Sequence, residues 1–175
     1  LILSPRNPLP AFSIHPARNT DLPAILRIQS LCYTAIVPES AQSMGAKLTA
    51  APDTCFVARS NGKITAYLLA LPWSFDNPPH LDAPACVLPD NPDTLYLHDL
   101  AVEPAARGSG VSQALVKAFL LALSRSSIGR ASLIAIQDSA SWWAGHGFQA
   151  ISPGPDLAAR LASYGSDVHY MSRRA

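Results

Sequence analysis

A strand, a glycine loop, a helix and a second strand follow one another between Thr94 and Ile136, and this run limits the fold more than any other part of the chain. Thr94–Val102 is apolar and aromatic, and Pro104 closes it. Arg107-Gly108-Ser109-Gly110 then opens into a helical pattern. Val111, Leu115, Val116, Phe119, Leu120 and Leu123 fall on one face, and Ala114, Ala118 and Ala122 permit close packing. Residues 131–136 are nearly all apolar, as expected of a strand covered on both faces beside a parallel neighbour. Strand, helix and strand in this order make a right-handed βαβ unit. The loop aims unpaired amides of a helix N-terminus, and the positive end of its dipole, at one point. An anion belongs there, and a diphosphate fits best.

The remaining pattern predicts a mixed α/β sheet with helices on both faces. Phe12–His15 alternates as a first strand, and Asn19-Thr20-Asp21 caps an amphipathic helix that ends near Tyr33. Val37-Pro38-Glu39 breaks the chain before a second helix over 40–50. Residues 54–59 and 64–71 flank Asn61-Gly62, the signature of an antiparallel hairpin. Pro72, Pro78, Pro79, Pro84, Pro89 and Pro92 exclude helix and central strand from 72–92. Such a loop is either a wall over an acceptor site, with Trp73, Phe75 and His80 as contacts, or a surface excursion. A short helix over 139–146 ends at Gly147, and a strand begins at Phe148. A helical turn falls within 153–163, and a strand over 168–172 closes the sheet. The expected organisation is an extension over 1–11 and one domain over 12–175.

Net charge is +1, so neither nucleic acid nor a basic partner is expected. The apolar runs are too short to span a membrane, and Leu1-Ile2-Leu3 lacks the flanks of a signal peptide. Cys32, Cys55 and Cys86 form no ligand or CxxC spacing; they are expected as reduced, buried residues of a cytoplasmic protein. The five histidines also lack metal-ligand spacing, so no metal is expected.

The loop departs from both common nucleotide fingerprints. GxGxxG after the first strand is absent, and so is GK[ST] after four intervening residues. What stands there is Arg-x-x-Gly-x-Ser from Arg107 to Ser112, after Leu100-Ala101-Val102 and a proline. This resembles the GNAT superfamily of acyl-CoA-dependent N-acyltransferases, whose signature is [QR]-x-x-G-x-[GA] between the fourth strand and third helix. The Asp21-Leu22-x-x-Ile25 helix, the hairpin and Trp142-Trp143-x-x-x-Gly147-Phe148 extend the resemblance over roughly 12–172. It implies a mostly antiparallel central sheet with one parallel pair, strands four and five. Acetyl-CoA is the implied co-substrate. Its pyrophosphate would lie on Arg107, Gly108, Ser109, Gly110, Val111 and Ser112. Its pantetheine would pair with the main chain of Leu100, Ala101 and Val102, and Gln137 and Trp143 would flank it. Two glycines allow main chain to approach phosphate without a Cβ between, and Ser112, where the family has Gly or Ala, is small enough to keep the loop.

Acetyl transfer to an amine needs a neutral amine, a stabilised oxyanion and a protonated leaving thiol. Period-two alternation would put Tyr96, His98 and Leu100 on one face and Asp99 on the other. Arylalkylamine-type members have His-x-His before Leu-Ala-Val; here Tyr96-x-His98 stands there, so His98 is the implied base. The family's usual tyrosine acid is replaced by Trp143, whose indole is no practical donor to a thiolate. Tyr96, Ser141 and Tyr170 are the alternative donors. Val37-Pro38-Glu39 resembles the segment over the acceptor in the same members; Glu39 either attracts a cationic amine or is an ordinary exposed acid. The resulting expectation is an N-acetyltransferase for a small primary amine, an arylalkylamine or polyamine, acting as monomer or homodimer. A transferase for protein N-termini or lysines, and a non-catalytic acyl-CoA sensor, remain as alternatives.

Overall fold

A computed structural model describes residues 11–136 and 138–175. Seven strands form one sheet in the order β1 (Ser13–Pro16), β2 (Phe56–Ser60), β3 (Lys63–Trp73), β4 (Thr94–Val102), β5 (Arg130–Ala135), β7 (His169–Arg174), β6 (Gln149–Ala150). Every neighbouring pair is antiparallel except β4 and β5. The last strand therefore does not close the sheet: β7 inserts between β5 and the two-residue β6, which takes the edge. The β2–β3 hairpin turns at Asn61 and Gly62, with φ of 49° and 76°, the left-handed pair that a type I′ turn requires.

Helix α3 (Val111–Arg125) packs on one face, burying Val111, Leu115, Val116, Phe119 and Leu123 against Leu68, Ala70, Leu95 and Leu97. Each large side chain so buried contributes about 1.5–3 kcal/mol. That contact fixes the N-terminus of α3 beside the end of β4. Helices α1 (Leu22–Cys32) and α2 (Ala41–Ala50) cover the other face through Ile25, Ile28, Met44 and Leu48, against Val57, Tyr67 and Leu69. The short α4 (Ala140–Gly145) precedes β6, and α5 (Pro155–Ala162) packs Leu157 and Leu161 on Tyr96 and Tyr170. Among the described residues, no helix is long and apolar enough to cross a membrane.

Pro72 was expected outside the sheet but pairs with Leu95 inside β3. The β2 ladder ends at Phe56 opposite Leu68, so Pro72 lies where β3 has no second neighbour and a missing N–H is tolerated. The strict alternation expected along β4 also fails. Its register with β3 steps from Leu69–Asp99 to Ala70–Leu97, which leaves His98 as the extra residue of a β-bulge. Before the bulge, Leu95 and Leu97 join the α3 core; after it, Leu100 and Val102 do. Asp99 thus sits on the α1 side with His98, and Leu100 on the opposite face.

Candidate functional site

Strands β4 and β5 are paired only at Leu95–Ala131, Tyr96–Ser132 and Leu97–Leu133. Beyond Leu97 they part, and a groove of about 370 Å³ opens between them, lined by His98–Val102, Arg107, Ser112 and Trp143. Its outer end is the glycine loop. Gly108 and Gly110 hold φ of +79° and +84°, and a Cβ on either would meet nothing within 4 Å. The open space and the left-handed backbone leave the main chain bare toward solvent. The first ladder bond of α3 runs from the Ala114 amide to the Gly110 carbonyl, 3.2 Å, so the amides of Val111–Gln113 have no acceptor within the helix. These features fit a diphosphate.

The loop's hydroxyls are engaged locally: Ser109 Oγ donates to the Ala106 carbonyl at 2.7 Å, and Ser112 Oγ to Gln113 Oε1 at 3.0 Å. The cradle is therefore a backbone site. Arg107 is exposed and folds back on β4, its Nε 3.4 Å from the Val102 carbonyl and its Nη2 3.8 Å from Cys32 Sγ. Trp143 is 7% exposed and edge-on to Phe148, so it is core and groove wall at once. Trp142 stands beside it and against His146. Gln137 lies outside the described residues.

A second cavity, about 540 Å³, lies on the α1 side. The 35–39 segment, Leu81, Asp82, Tyr96 and Tyr164 line it. The two cavities share Tyr33, His98, Asp99, Ile134 and Ile136, so the bulge is the seam where they meet. Of the long loop, Leu81 and Asp82 reach the cavity. The three contacts expected there lie elsewhere: Trp73 ends β3, Phe75 sits under the Arg130 guanidinium, and His80 meets Arg160.

At the seam, His98 has a side chain only 2% exposed. Its Nε2 is hydrogen-bonded to Glu39 Oε1, and its buried Nδ1 has no partner among the described residues. Glu39 is not the exposed acid that a loop position suggests. Its carboxylate also takes Lys47 Nζ and Ser43 Oγ at 2.8 Å each and the Asp82 amide at 3.1 Å. Burial pushes this carboxyl up, but the bonds and charges of His98 and Lys47 outweigh that and hold it well below the usual carboxylate range. In the neutral form of His98, the ionised Glu39 holds the ring proton on Nε2, and the lone pair is then on Nδ1. Asp99, beside it, accepts from Tyr33 and, at 2.6 Å, from Tyr67. Burial raises the Asp99 carboxyl in spite of those two donors.

Tyr96 lines the second cavity but not the groove, and burial, with Tyr164 and Tyr170 nearby, pushes its phenol well above the usual range. Its hydroxyl therefore stays protonated near neutrality. Tyr170 gives its hydroxyl to the Phe75 carbonyl at 2.6 Å, and Ser139 rather than Ser141 reaches the groove. Sequence reasoning missed Tyr33, Lys47 and the placement of Asp99. A signal for Lys47 was present: Ser43 and Lys47 are four apart on one face of α2, following Glu39 by the same step.

A sequence profile described as the acetyltransferase (GNAT) family matches residues 22–142. No curated protein matches by sequence. Several solved structures are similar in fold. Ard1 from Thermoplasma volcanium is 17% identical with a TM-score of 0.71, over 94% of this chain and 98% of that one. The ribosomal-protein-S18-alanine N-acetyltransferase from Escherichia coli is 19% identical with a TM-score of 0.65, over 93% of each chain. Arabidopsis thaliana Naa50, in complex with the bisubstrate analogue CoA-Ac-MVNAL, is 12% identical with a TM-score of 0.68, over 93% and 98%.

Proposed function

Because the chain belongs to the GNAT acetyltransferase family, we propose that it transfers the acetyl group of acetyl-CoA to a small primary amine by direct attack in a ternary complex. The observation that carries this reading is the free Nδ1 of His98, held at the seam of two cavities by an ionised Glu39. In this reading residues 12–175 act as one catalytic domain. Coenzyme A seen on a relative such as Naa50 and the bare cradle support the coenzyme assignment. The amides of Gly108–Ser112 hold the diphosphate, Arg107 adds charge, and Trp143 walls the groove. The β4 main chain at Leu100–Val102, open where β5 has departed, pairs with the pantetheine and polarises the thioester carbonyl. His98 Nδ1 takes the proton that the amine must lose, and the Tyr96 hydroxyl faces the amine.

The acceptor class follows from what lines the second cavity. Glu39, Asp82 and Asp99 contribute carboxyl groups, Tyr33, Tyr96 and Tyr164 contribute phenols, and among the described residues no Lys or Arg lines it. That lining favours an ammonium with an apolar or aromatic body and offers no Lys or Arg charge to a free carboxylate. Arylalkylamines and polyamines fit, and the arylalkylamine-type assignment rests on the sequence of β4 and the 37–39 segment. Likeness to the ribosomal-protein-S18-alanine N-acetyltransferase and Naa50 favours a peptide N-terminus as a second reading. Against it, the Ser40 amide donates to Asp82 Oδ1 at 2.7 Å and the Asp82 amide to Glu39, a strap that ties two segments of the cavity wall together and limits the room for a peptide.

An acceptor screen read by thiol release tests the assignment. Arylalkylamines and polyamines should turn over, amino acids with a free carboxylate should not, and peptides should be poor. Turnover on peptides alone would establish the second reading, and tight coenzyme binding without turnover on any amine would establish a sensor.

A further inference from the structure

The departing thiolate needs a proton, and the position that supplies a tyrosine in similar proteins is Trp143, a core indole. Of the hydroxyl groups of the described residues, only that of Tyr33 belongs to a residue lining both cavities. Tyr33 caps the C-terminus of α1. Its phenol bonds to Asp99 Oδ1 and lies 3.5 Å from the Leu100 carbonyl, on the stretch of β4 beside which the thioester is placed in the reading above. Tyr67 holds the other Asp99 oxygen from β3 and lines neither cavity. We infer that Tyr33, with the Asp99 carboxyl behind it, relays a proton to the sulfur of the departing coenzyme.

The amine nitrogen bonds to the acetyl carbon and gives a proton to His98 Nδ1. The carbon–sulfur bond breaks and its electron pair stays on sulfur. The Tyr33 proton moves to sulfur while the Asp99 proton moves to the Tyr33 oxygen. The net transfer, from a carboxylic acid to a thiolate, is downhill, whereas a lone phenol would donate uphill to a thiolate of pKa about 8.5. Asp99 ends as a carboxylate accepting from both Tyr33 and Tyr67, the arrangement observed. The His98 imidazolium, adjacent in the chain, returns the proton to Asp99. Burial raises Asp99, which favours its acid form before the step, and burial with Asp99 nearby raises Tyr33, which keeps the phenol protonated. The groups facing Tyr33 are Asp99 and His98 from β4, Tyr67 from β3, Glu39 from the 35–39 segment and Cys32 beside it.

This inference rests on the transferase reading, yet one measurement separates the two. The thiol of bound coenzyme A is titrated by the ultraviolet absorbance of its thiolate, with no amine present. Tyr33→Phe removes a donor to the thiolate and should raise the midpoint by about one pH unit, tenfold less thiolate at a given pH. An unchanged midpoint overturns the relay whatever the acceptor proves to be. In turnover, Tyr33→Phe should lower kcat about 100-fold, with KM for acetyl-CoA within a few-fold and the basic limb of the pH profile gone. Tyr67→Phe removes one donor from the Asp99 carboxylate and should lower kcat a few-fold while keeping the basic limb and the thiol midpoint; if it reproduces both losses, Tyr33 serves only to position Asp99 and the relay is wrong. Should Tyr33→Phe fold poorly, the near-isosteric Asp99→Asn should lose the same limb, and full activity in that variant overturns the relay.

Discussion

The proposed coenzyme cradle follows the strand that carries the proposed proton-handling seam, and the two are made of different material. The cradle is main chain: two left-handed glycines with empty space where a Cβ would point, and the first turn of one helix, all within 107–113. The seam is side chain, drawn together over long sequence separations: His98 to Glu39 across 59 residues, Asp99 to Tyr33 across 66 and to Tyr67 across 32. A backbone site is a property of consecutive residues, so it tolerates exchange of side chains and fails with its geometry. A side-chain site depends on the pairing of the whole sheet, and it can be redirected by one bulge.

The largest expected effect breaks the seam alone. His98→Gln should lower kcat about 100-fold or more and remove the acidic limb of the pH–rate profile, with coenzyme affinity unchanged; an intact limb would eliminate His98 as the base. Gly110→Asp breaks the cradle alone. It sets a carboxylate against the diphosphate, at a backbone position whose φ is +84°. Like-charge repulsion of about 1–3 kcal/mol predicts a coenzyme Kd about ten- to hundredfold weaker by calorimetry, with kcat at saturation nearly kept. A large loss of kcat at saturation would mean that the two halves are not separable.

A smaller effect is thermodynamic. Glu39 has a lowered carboxyl pKa in the folded protein, so its stabilisation is complete above its unfolded value of about 4.3 and is lost as pH falls below that. Glu39→Gln should therefore cost about 3 kcal/mol near neutrality, with the gap to the native protein narrowing toward pH 3. Urea melts across this range check it, and a gap independent of pH would show that Glu39 acts by packing instead. The smallest effect sharpens the acceptor side: Asp82→Ala frees the strap from Ser40 and should change KM for the amine a few-fold, leaving kcat alone. A large drop in kcat would tie the strap to the chemistry.

The same contrast explains what could be read in advance. The βαβ unit, the hairpin and the glycine loop follow from local pattern, and each stands where residues 61–62, 94–102 and 108–125 place it. Pro72 inside β3 and β7 in the interior of the sheet depend on which strand is neighbour to which, a tertiary choice that composition does not encode. Alternation along β4 misplaced Asp99 and Leu100 because a bulge is set by register with β3, not by the β4 residues. Glu39 looked like an exposed loop acid because its partners, Lys47 on α2 and His98 on β4, converge only after folding.

The brief contact between β4 and β5 has a consequence for turnover of the protein itself. Three registered pairs join two portions of the sheet, and the main chain of 98–102 has no strand on that side. A ligand lying in the gap acts as a missing strand, so occupancy and folding become linked: at a hundred times its Kd it adds about 2.7 kcal/mol. Amide exchange at residues 98–102 should slow sharply on saturation with coenzyme A, and uniform protection before and after would refute the linkage. In a cell, the lifetime of this protein would then follow the supply of its own acyl donor.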